Sequence, residues 1–290
     1  MPTNVLERLS TEGGRACPVC GKTVSARIDL FDYQLFECTH CKCWSSDALA
    51  RNARTSFVPE NYFSHADSDR DKWEKLSHHL GWAVDRPVSA LDVGCGTGAY
   101  LEYLREQLGK DALLEGIELD PERAAQSRGR NLDLRVHEGD ALATLARLDR
   151  SFDQITLWDV FEHVTAPLDL LEGLGQVLAP GGVIYLQTIN ERSILPTLGR
   201  ASYRLSGRRI RYPARRTHEA HHLVFFVREG IEHMAREAGL QVREVWFDRL
   251  ARSRMEGGEL LRTAASLLLA FENALGNGLF INVILEKRKA

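Results

Sequence analysis

The stretch that most constrains this chain is Leu91-Asp92-Val93-Gly94-Cys95-Gly96-Thr97-Gly98. An apolar run, Val88 to Val93, leads into three glycines at every second position, and an amphipathic segment, Tyr100 to Leu108, follows. Glycine has no Cβ, so such a loop turns sharply and lets a ligand approach its backbone. A buried strand that delivers a glycine loop to the start of a helix is the opening of a parallel α/β unit. The spacing is G-x-G-x-G, not the G-x-G-x-x-G of dinucleotide sites, and the missing Lys-Ser/Thr excludes a P-loop.

The alternation continues downstream. Strands are expected at Leu113–Leu119, Leu134–His137, Gln154–Val160 and Val183–Thr188, with helices at Glu122–Arg130 and Leu168–Leu178 between them. Apolar strands separated by amphipathic helices predict a parallel sheet covered on both faces. Two more strands, Gln241–Phe247 and Leu279–Leu285, flank a helix at Gly258–Leu275. Upstream, Trp73, Leu76 and Leu80 recur at helical spacing, which predicts a helix over Asp69–Trp82, ended by Pro87.

Three further features fall at strand ends. Glu118 closes Gly116-Ile117-Glu118, where a carboxylate accepts ribose hydroxyls in nucleotide-binding α/β folds. Asp140 follows the third strand, within reach of an exocyclic amine. Leu178-Ala179-Pro180-Gly181-Gly182 reads as a sharp helix-to-strand turn. Each alone is ordinary turn chemistry, but together and in this order they mark a nucleotide-like ligand.

Taken with the glycine loop, this constellation resembles the class I S-adenosylmethionine-dependent methyltransferases over residues 88–190. The resemblance implies a Rossmann-like seven-stranded methyltransferase sheet with helices on both faces, the last two strands forming an antiparallel hairpin. It implies that Asp92, Gly94, Cys95, Gly96 and Gly98 hold the methionine end of the cofactor. Glu118, with Leu119 beside it, would hold the ribose, Asp140 and Ala141 would flank the adenine, and Trp158 would stand near cofactor and acceptor. The Trp158–His163 stretch and Leu186–Asn190 look like the O-methyltransferases of ubiquinone biosynthesis, so the expected reaction is methylation of a small molecule, at oxygen.

Cysteine usage adds a second unit. Cys17-Pro-Val-Cys20 and Cys38-Thr-His-Cys41 give C-x2-C-x17-C-x2-C, two knuckles that complete a tetrahedral four-thiolate zinc shell. Such closed sites are structural, and this zinc-ribbon-like module is too small for a good core, so the metal supplies its folding energy. The pattern reads as metal binding in a reducing cytoplasm rather than a disulfide framework. The organisation expected is a zinc-binding module over 15–48, a helical linker or lid over 49–86, and a methyltransferase domain over 87–290. No apolar run approaches the roughly 18 residues of a membrane span, and Met1–Gly14 has no apolar core of a signal peptide.

The acceptor side is expected within 191–226. Residues 191–217 hold eight arginines and one acid, Glu191, interleaved with Ile194, Leu198, Tyr203, Leu205, Ile210 and Tyr212. This suits a lid over an anionic acceptor or peripheral contact with a membrane surface. His163 and His222 are the candidate catalytic residues, each a base with a near-neutral ordinary pKa. The balance of 37 basic against 40 acidic residues argues against a nucleic-acid partner. Two alternatives stay open: an RNA base methyltransferase carrying a zinc module, and a non-catalytic scaffold that binds the cofactor and recruits a partner through that module. Oligomeric state is beyond the sequence.

Overall fold

The computed structural model describes residues 15–24, 26–30, 32–48, 66–80, 88–130, 133–255 and 258–288. Most of the expected linker over 49–86, with Trp82 at the expected helix end, lies outside these residues, as does Pro87.

Seven strands make the main sheet. Four expected strands appear as β4 (Ser89–Val93), β5 (Leu113–Glu118), β6 (Arg135–Glu138) and β7 (Phe152–Trp158). With β8 (Leu178–Ile189), β10 (Leu240–Asp248) and β11 (Phe280–Lys287) they run in the order β10-β11-β8-β7-β4-β5-β6. The five strands from β4 to β8 are parallel, while β11 runs antiparallel between β8 and β10. This is the Rossmann-like methyltransferase sheet, and its helices cover both faces. Helix α1 (Ala66–Leu80) and α2 (Ala99–Leu108) bury Leu76, Tyr100, Leu101 and Leu104 on one face. On the other, α5 (Pro167–Val177) and α8 (Arg228–Glu237) bury Leu170, Leu174, Ile231 and Met234 against Ile155, Leu157 and Ile184. Burial on both faces is why these strands read as apolar runs rather than alternating patterns.

One expectation needs correction. The Ala179-Pro180-Gly181-Gly182 segment is not a turn that precedes the fifth strand; it lies inside β8. Leu178 pairs with Phe152 and Val183 with Gln154, so four residues bulge out opposite Asp153. The bulge demands glycine: a Cβ on Gly182 would come within 2.9 Å of the carbonyl oxygens of Phe152 and Asp153.

The remaining helices set the nucleotide end and the acceptor end. Helices α3 (Pro121–Arg128) and α4 (Ala141–Leu145) follow β5 and β6. The arginine-rich segment folds as α6 (Ile194–Leu205) and α7 (Tyr212–Thr217), and α9 (Glu259–Ala274) fills the connection between β10 and β11.

The cysteine module is a small antiparallel sheet of β1 (Ala26–Asp29), β2 (Gln34–Glu37) and β3 (Trp44–Ser46). Its fourth strand, β9 (Val224–Phe225), comes from the acceptor-side segment. Residues 15–48 therefore do not close on themselves. Cys17, Val19, Cys38, Cys41 and Cys43 share one buried cluster with Phe161, Phe226, Val227 and Ile231.

Candidate active site

The glycine loop is held by the sheet beneath it. The carbonyl of Ile117 on β5 accepts from Gly94 N at 2.7 Å and Cys95 N at 3.0 Å. Two glycines have no substitute. Gly94 has φ +75° and a Cβ there would sit 2.4 Å from Val160 Cγ2; Gly98 has φ +81° and a Cβ would sit 2.3 Å from Ser127 Oγ.

Glu118, at the end of β5, is 6% exposed. Its Oε2 accepts from Gly96 N and its Oε1 from Asp120 N, both at 2.8 Å. Each carboxylate oxygen has capacity for one more donor. The same carboxylate thus fixes the loop and can take two ligand hydroxyls. Asp140 caps α4 by accepting from Ala143 N at 2.9 Å, and it is exposed, so its other oxygen is available. Leu119, 59% exposed, offers a flat apolar surface beside Glu118.

Asp92 is buried and accepts from Thr156 Oγ1 at 2.6 Å. Burial, reinforced by the charge of Glu118, pushes its carboxyl up to about 7. A cationic ligand group beside it would restore the carboxylate.

A cavity of about 440 Å³ opens between this loop and α1. Asp92, Gly94, Cys95 and Trp158 line it, while Glu118, Leu119, Asp140 and Ala141 lie at neighbouring strand ends outside it. The cavity also recruits residues that the sequence reading missed: Lys72, Trp73, Tyr100, Tyr103 and Asp159. Trp158 packs between Tyr100 (centroids 5.2 Å) and Tyr185 (4.5 Å), and Trp73 lies 5.6 Å from Tyr100. Trp158 Nε1 is buried with no hydrogen-bond partner among the described residues, a donor that a ligand in the cavity can satisfy. An aromatic wall of this kind suits a cation such as a sulfonium.

Lys72 reaches in from α1. Its ammonium donates to Gln187 Oε1 at 3.0 Å, lies 4.9 Å from the Phe280 ring centroid and 3.8 Å from Asp69, and its side chain is only 16% exposed. Gln187 is fully buried and in turn donates to Asn282 Oδ1 at 2.8 Å.

His163 and His222 lie together, with ring centroids 4.9 Å apart, but neither lines the cavity. Asp159 does, and its charge is felt by both Glu162 and His163. Glu162 is buried, accepts from Thr188 Oγ1 at 2.8 Å, and is pushed up to about 8 by burial and by Asp159. Burial pushes both histidines down, His222 strongly. His163 Nδ1 faces the His221 carbonyl at 2.9 Å; a carbonyl only accepts, so Nδ1 carries the proton and Nε2 keeps its lone pair. Glu162, His163 and His222 each offer a ligand atom within 4.8 Å of the others, so the cluster can also hold a divalent ion.

The four paired cysteines converge. Cys17 Sγ lies 3.6 Å from Cys41 Sγ and Cys20 Sγ 3.5 Å from Cys38 Sγ. Zinc–sulfur bonds of about 2.3 Å in a tetrahedron put sulfurs about 3.8 Å apart, so this set fits zinc.

The arginine-rich segment behaves differently from a lid. Arg204, Arg211 and Arg215 face Glu37, Asp29 and Asp32 of the cysteine module, and Arg200, Arg192 and Arg216 face Glu191, Glu229 and Glu219. Three of these charges dock α6 and α7 on the module, and none of residues 191–217 lines the cavity. The exposed tip between these helices carries Arg208, Arg209, Leu205, Ile210 and Tyr212.

A family profile described as a methyltransferase domain matches residues 62–245. The ubiquinone biosynthesis O-methyltransferase of Xanthomonas euvesicatoria pv. vesicatoria is 32% identical over 163 residues, covering 53% of this chain and 63% of that protein. The chain thus spans less than two thirds of the length of this curated relative. Among solved structures, the plantazolicin methyltransferase BamL, in complex with a triazolic desmethylPZN analog and SAH, superposes with a TM-score of 0.54 at 14% identity, covering 79% of this chain and 88% of that one. A SAM-dependent methyltransferase from Archaeoglobus fulgidus gives 0.52 at 17%, covering 79% and 100%. At these identities the structural likeness is one of fold.

Proposed function

The chain belongs to the methyltransferase-domain family, and from that premise we propose that it is an S-adenosylmethionine-dependent enzyme that methylates an anionic small molecule at oxygen. The observation that carries the reading is Glu118, a buried carboxylate at the end of β5 that holds the glycine loop by two backbone N–H groups and keeps one acceptor site on each oxygen for the ribose. Asp92 and the loop Gly94–Gly98 would take the methionine end, Leu119 would face the adenine, and Asp140 with Ala141 would flank it. Trp158, Tyr100 and Trp73 would surround the sulfonium.

When bound, S-adenosylmethionine supplies an electrophilic methyl group on sulfur. The residues of this chain would align an acceptor oxygen with that methyl group and take up the hydroxyl proton. Lys72, which lines the cavity together with Arg70 and Arg130, is the cation we assign to an acceptor anion, a role the sequence reading had given to the arginines of 191–217. His163, neutral and with its Nε2 lone pair free by tautomer, is the base we assign to the proton, routed through Asp159 at the cavity wall. His222 packs against its ring, while the His221 carbonyl holds the tautomer.

Zinc on Cys17, Cys20, Cys38 and Cys41 is proposed as structural, and elemental analysis of protein purified without chelator should give one zinc per chain. Among the described residues no helix is long and apolar enough to cross a membrane. The tip with Leu205, Arg208, Arg209 and Ile210 is proposed to touch anionic membrane surfaces peripherally. The enzyme reading is tested by mixing protein, labelled S-adenosylmethionine and a panel of anionic phenols and sugars. Label transferred to an acceptor supports it; cofactor binding with no transfer to any acceptor supports a scaffold instead.

A further inference from the structure

The cysteine module and the His222 segment are built as one unit. Strand β9 has two residues, too few to persist alone. It is held because Trp44 pairs with Phe225 and Ser45 with Val224. One residue earlier, Leu223 is fixed on both sides: its carbonyl accepts from Ser46 N at 2.9 Å, and its N–H donates to the Glu162 carbonyl at 2.8 Å. The backbone that carries His222 is therefore clamped between β3 of the module and the turn that carries His163.

Further ties span the same joint. Tyr33 of the module donates its hydroxyl to the His218 carbonyl. Cys43 presses on α8 so closely that a Cβ at Gly230 would lie 2.1 Å from its sulfur. Arg200 stands over the Trp44 ring at 5.2 Å. By contrast, the hydrogen bonds to the glycine loop and its strand end come from Ile117, Glu118 and Thr156 in the main sheet and from Arg130 beyond α3, and none among the described residues comes from 15–48.

We infer that the cysteine module is the positioning device for His222: its metal-dependent fold holds His222 against His163, and the cofactor half stands without it. The inference rests on the zinc reading above. The module's buried cysteines and Val19 make their core jointly with Val224, Phe226, Val227 and Ile231. A small metal-stapled module unfolds when its metal leaves, and removing β3 takes away the neighbour of β9 and one of the two clamps on Leu223.

The test uses the full chain with zinc bound, with zinc stripped by a chelator, and with zinc restored. Two readouts are followed: affinity for S-adenosylhomocysteine, and amide exchange of segments 92–98 and 221–226. The expected result is exchange over 221–226 faster by roughly tenfold or more on stripping, with 92–98 unchanged. Affinity for S-adenosylhomocysteine should change by less than about twofold, and zinc should restore the protection of 221–226. A Ser46→Pro variant, which removes the N–H that holds Leu223 but leaves all four thiols, should keep one zinc per chain and loosen 221–226 in the same way. Unchanged protection of 221–226 after stripping would overturn the inference. So would a parallel loss of S-adenosylhomocysteine binding, which would make the module a support for the whole domain. A protein that holds less than one zinc removes the zinc premise and the inference with it, while leaving the methyltransferase reading intact.

Discussion

The two halves of this site are made by different means. On the cofactor half, each element is contiguous in sequence: Asp92–Gly98 leaves β4, Glu118–Asp120 leaves β5, and Gly139–Ala141 leaves β6. Each loop leans on its own strand end and on elements beside it in the main sheet. The acceptor half gathers Lys72 from α1, Trp158 to His163 after β7, Gln187 from β8 and His222 before β9, with the cysteine module as backing. A local loop can tolerate damage elsewhere; a convergent site depends on every segment that meets there. The halves should therefore fail separately.

The largest expected effect is on the cofactor half. Glu118→Ala would remove the two charge-assisted bonds proposed to the ribose, each worth about 1.5–3 kcal/mol. It also frees Gly96 and Asp120, so affinity for S-adenosylhomocysteine should fall by about 100-fold or more. Calorimetry reads the loss, and unchanged affinity would break the ribose assignment. The acceptor half should not notice: exchange over 221–226 should stay as in the parent.

Next comes Lys72→Met, which keeps the stem and removes the charge. With the best acceptor from an anionic panel, KM should rise by about 30-fold, the loss of one charged hydrogen bond, while S-adenosylhomocysteine affinity stays within twofold. A rise that is equal for uncharged acceptors would mean that Lys72 holds α1 in place rather than the acceptor.

Smaller still is the tip of α6 and α7. Arg208→Ser and Arg209→Ser should each reduce sedimentation with phosphatidylserine vesicles by about fivefold, near 1 kcal/mol per charge. Activity on a water-soluble acceptor should stay unchanged.

The smallest effect is in pH dependence. Asp92 titrates near 7 when buried and near 3.9 when unfolded. A folded value raised above the unfolded one contributes stability fully present below about pH 4 and lost as pH rises through about 7. Asp92→Asn cannot ionise, so its melting temperature relative to the parent should climb by a few degrees between pH 5 and 8 without ligand. A constant difference across that range would mean that Asp92 is not held protonated.

This contrast also explains what the sequence disclosed. The glycine loop, Glu118 and Asp140 were legible because backbone geometry and strand-end position write themselves in consecutive residues. The four converging cysteines were legible for the same reason. Lys72 was not, since a lysine in a polar helical stretch looks like any solvated one until the helix is packed over β8 and β11. The arginines of 191–217 misled because composition reports charge but not partners: Glu37, Asp29 and Asp32 lie far away in sequence. The two-residue β9 has no sequence signal at all, because its strand character comes wholly from β3. His163 and His222 were named, but that Asp159 rather than either of them lines the cavity was not.

The most direct test of the account is calorimetric titration of S-adenosylhomocysteine into purified, ligand-free, zinc-loaded protein. The account predicts saturable binding at one site per chain, abolished or greatly weakened by Glu118→Ala. Absence of saturable heat, or binding indifferent to Glu118, would contradict it.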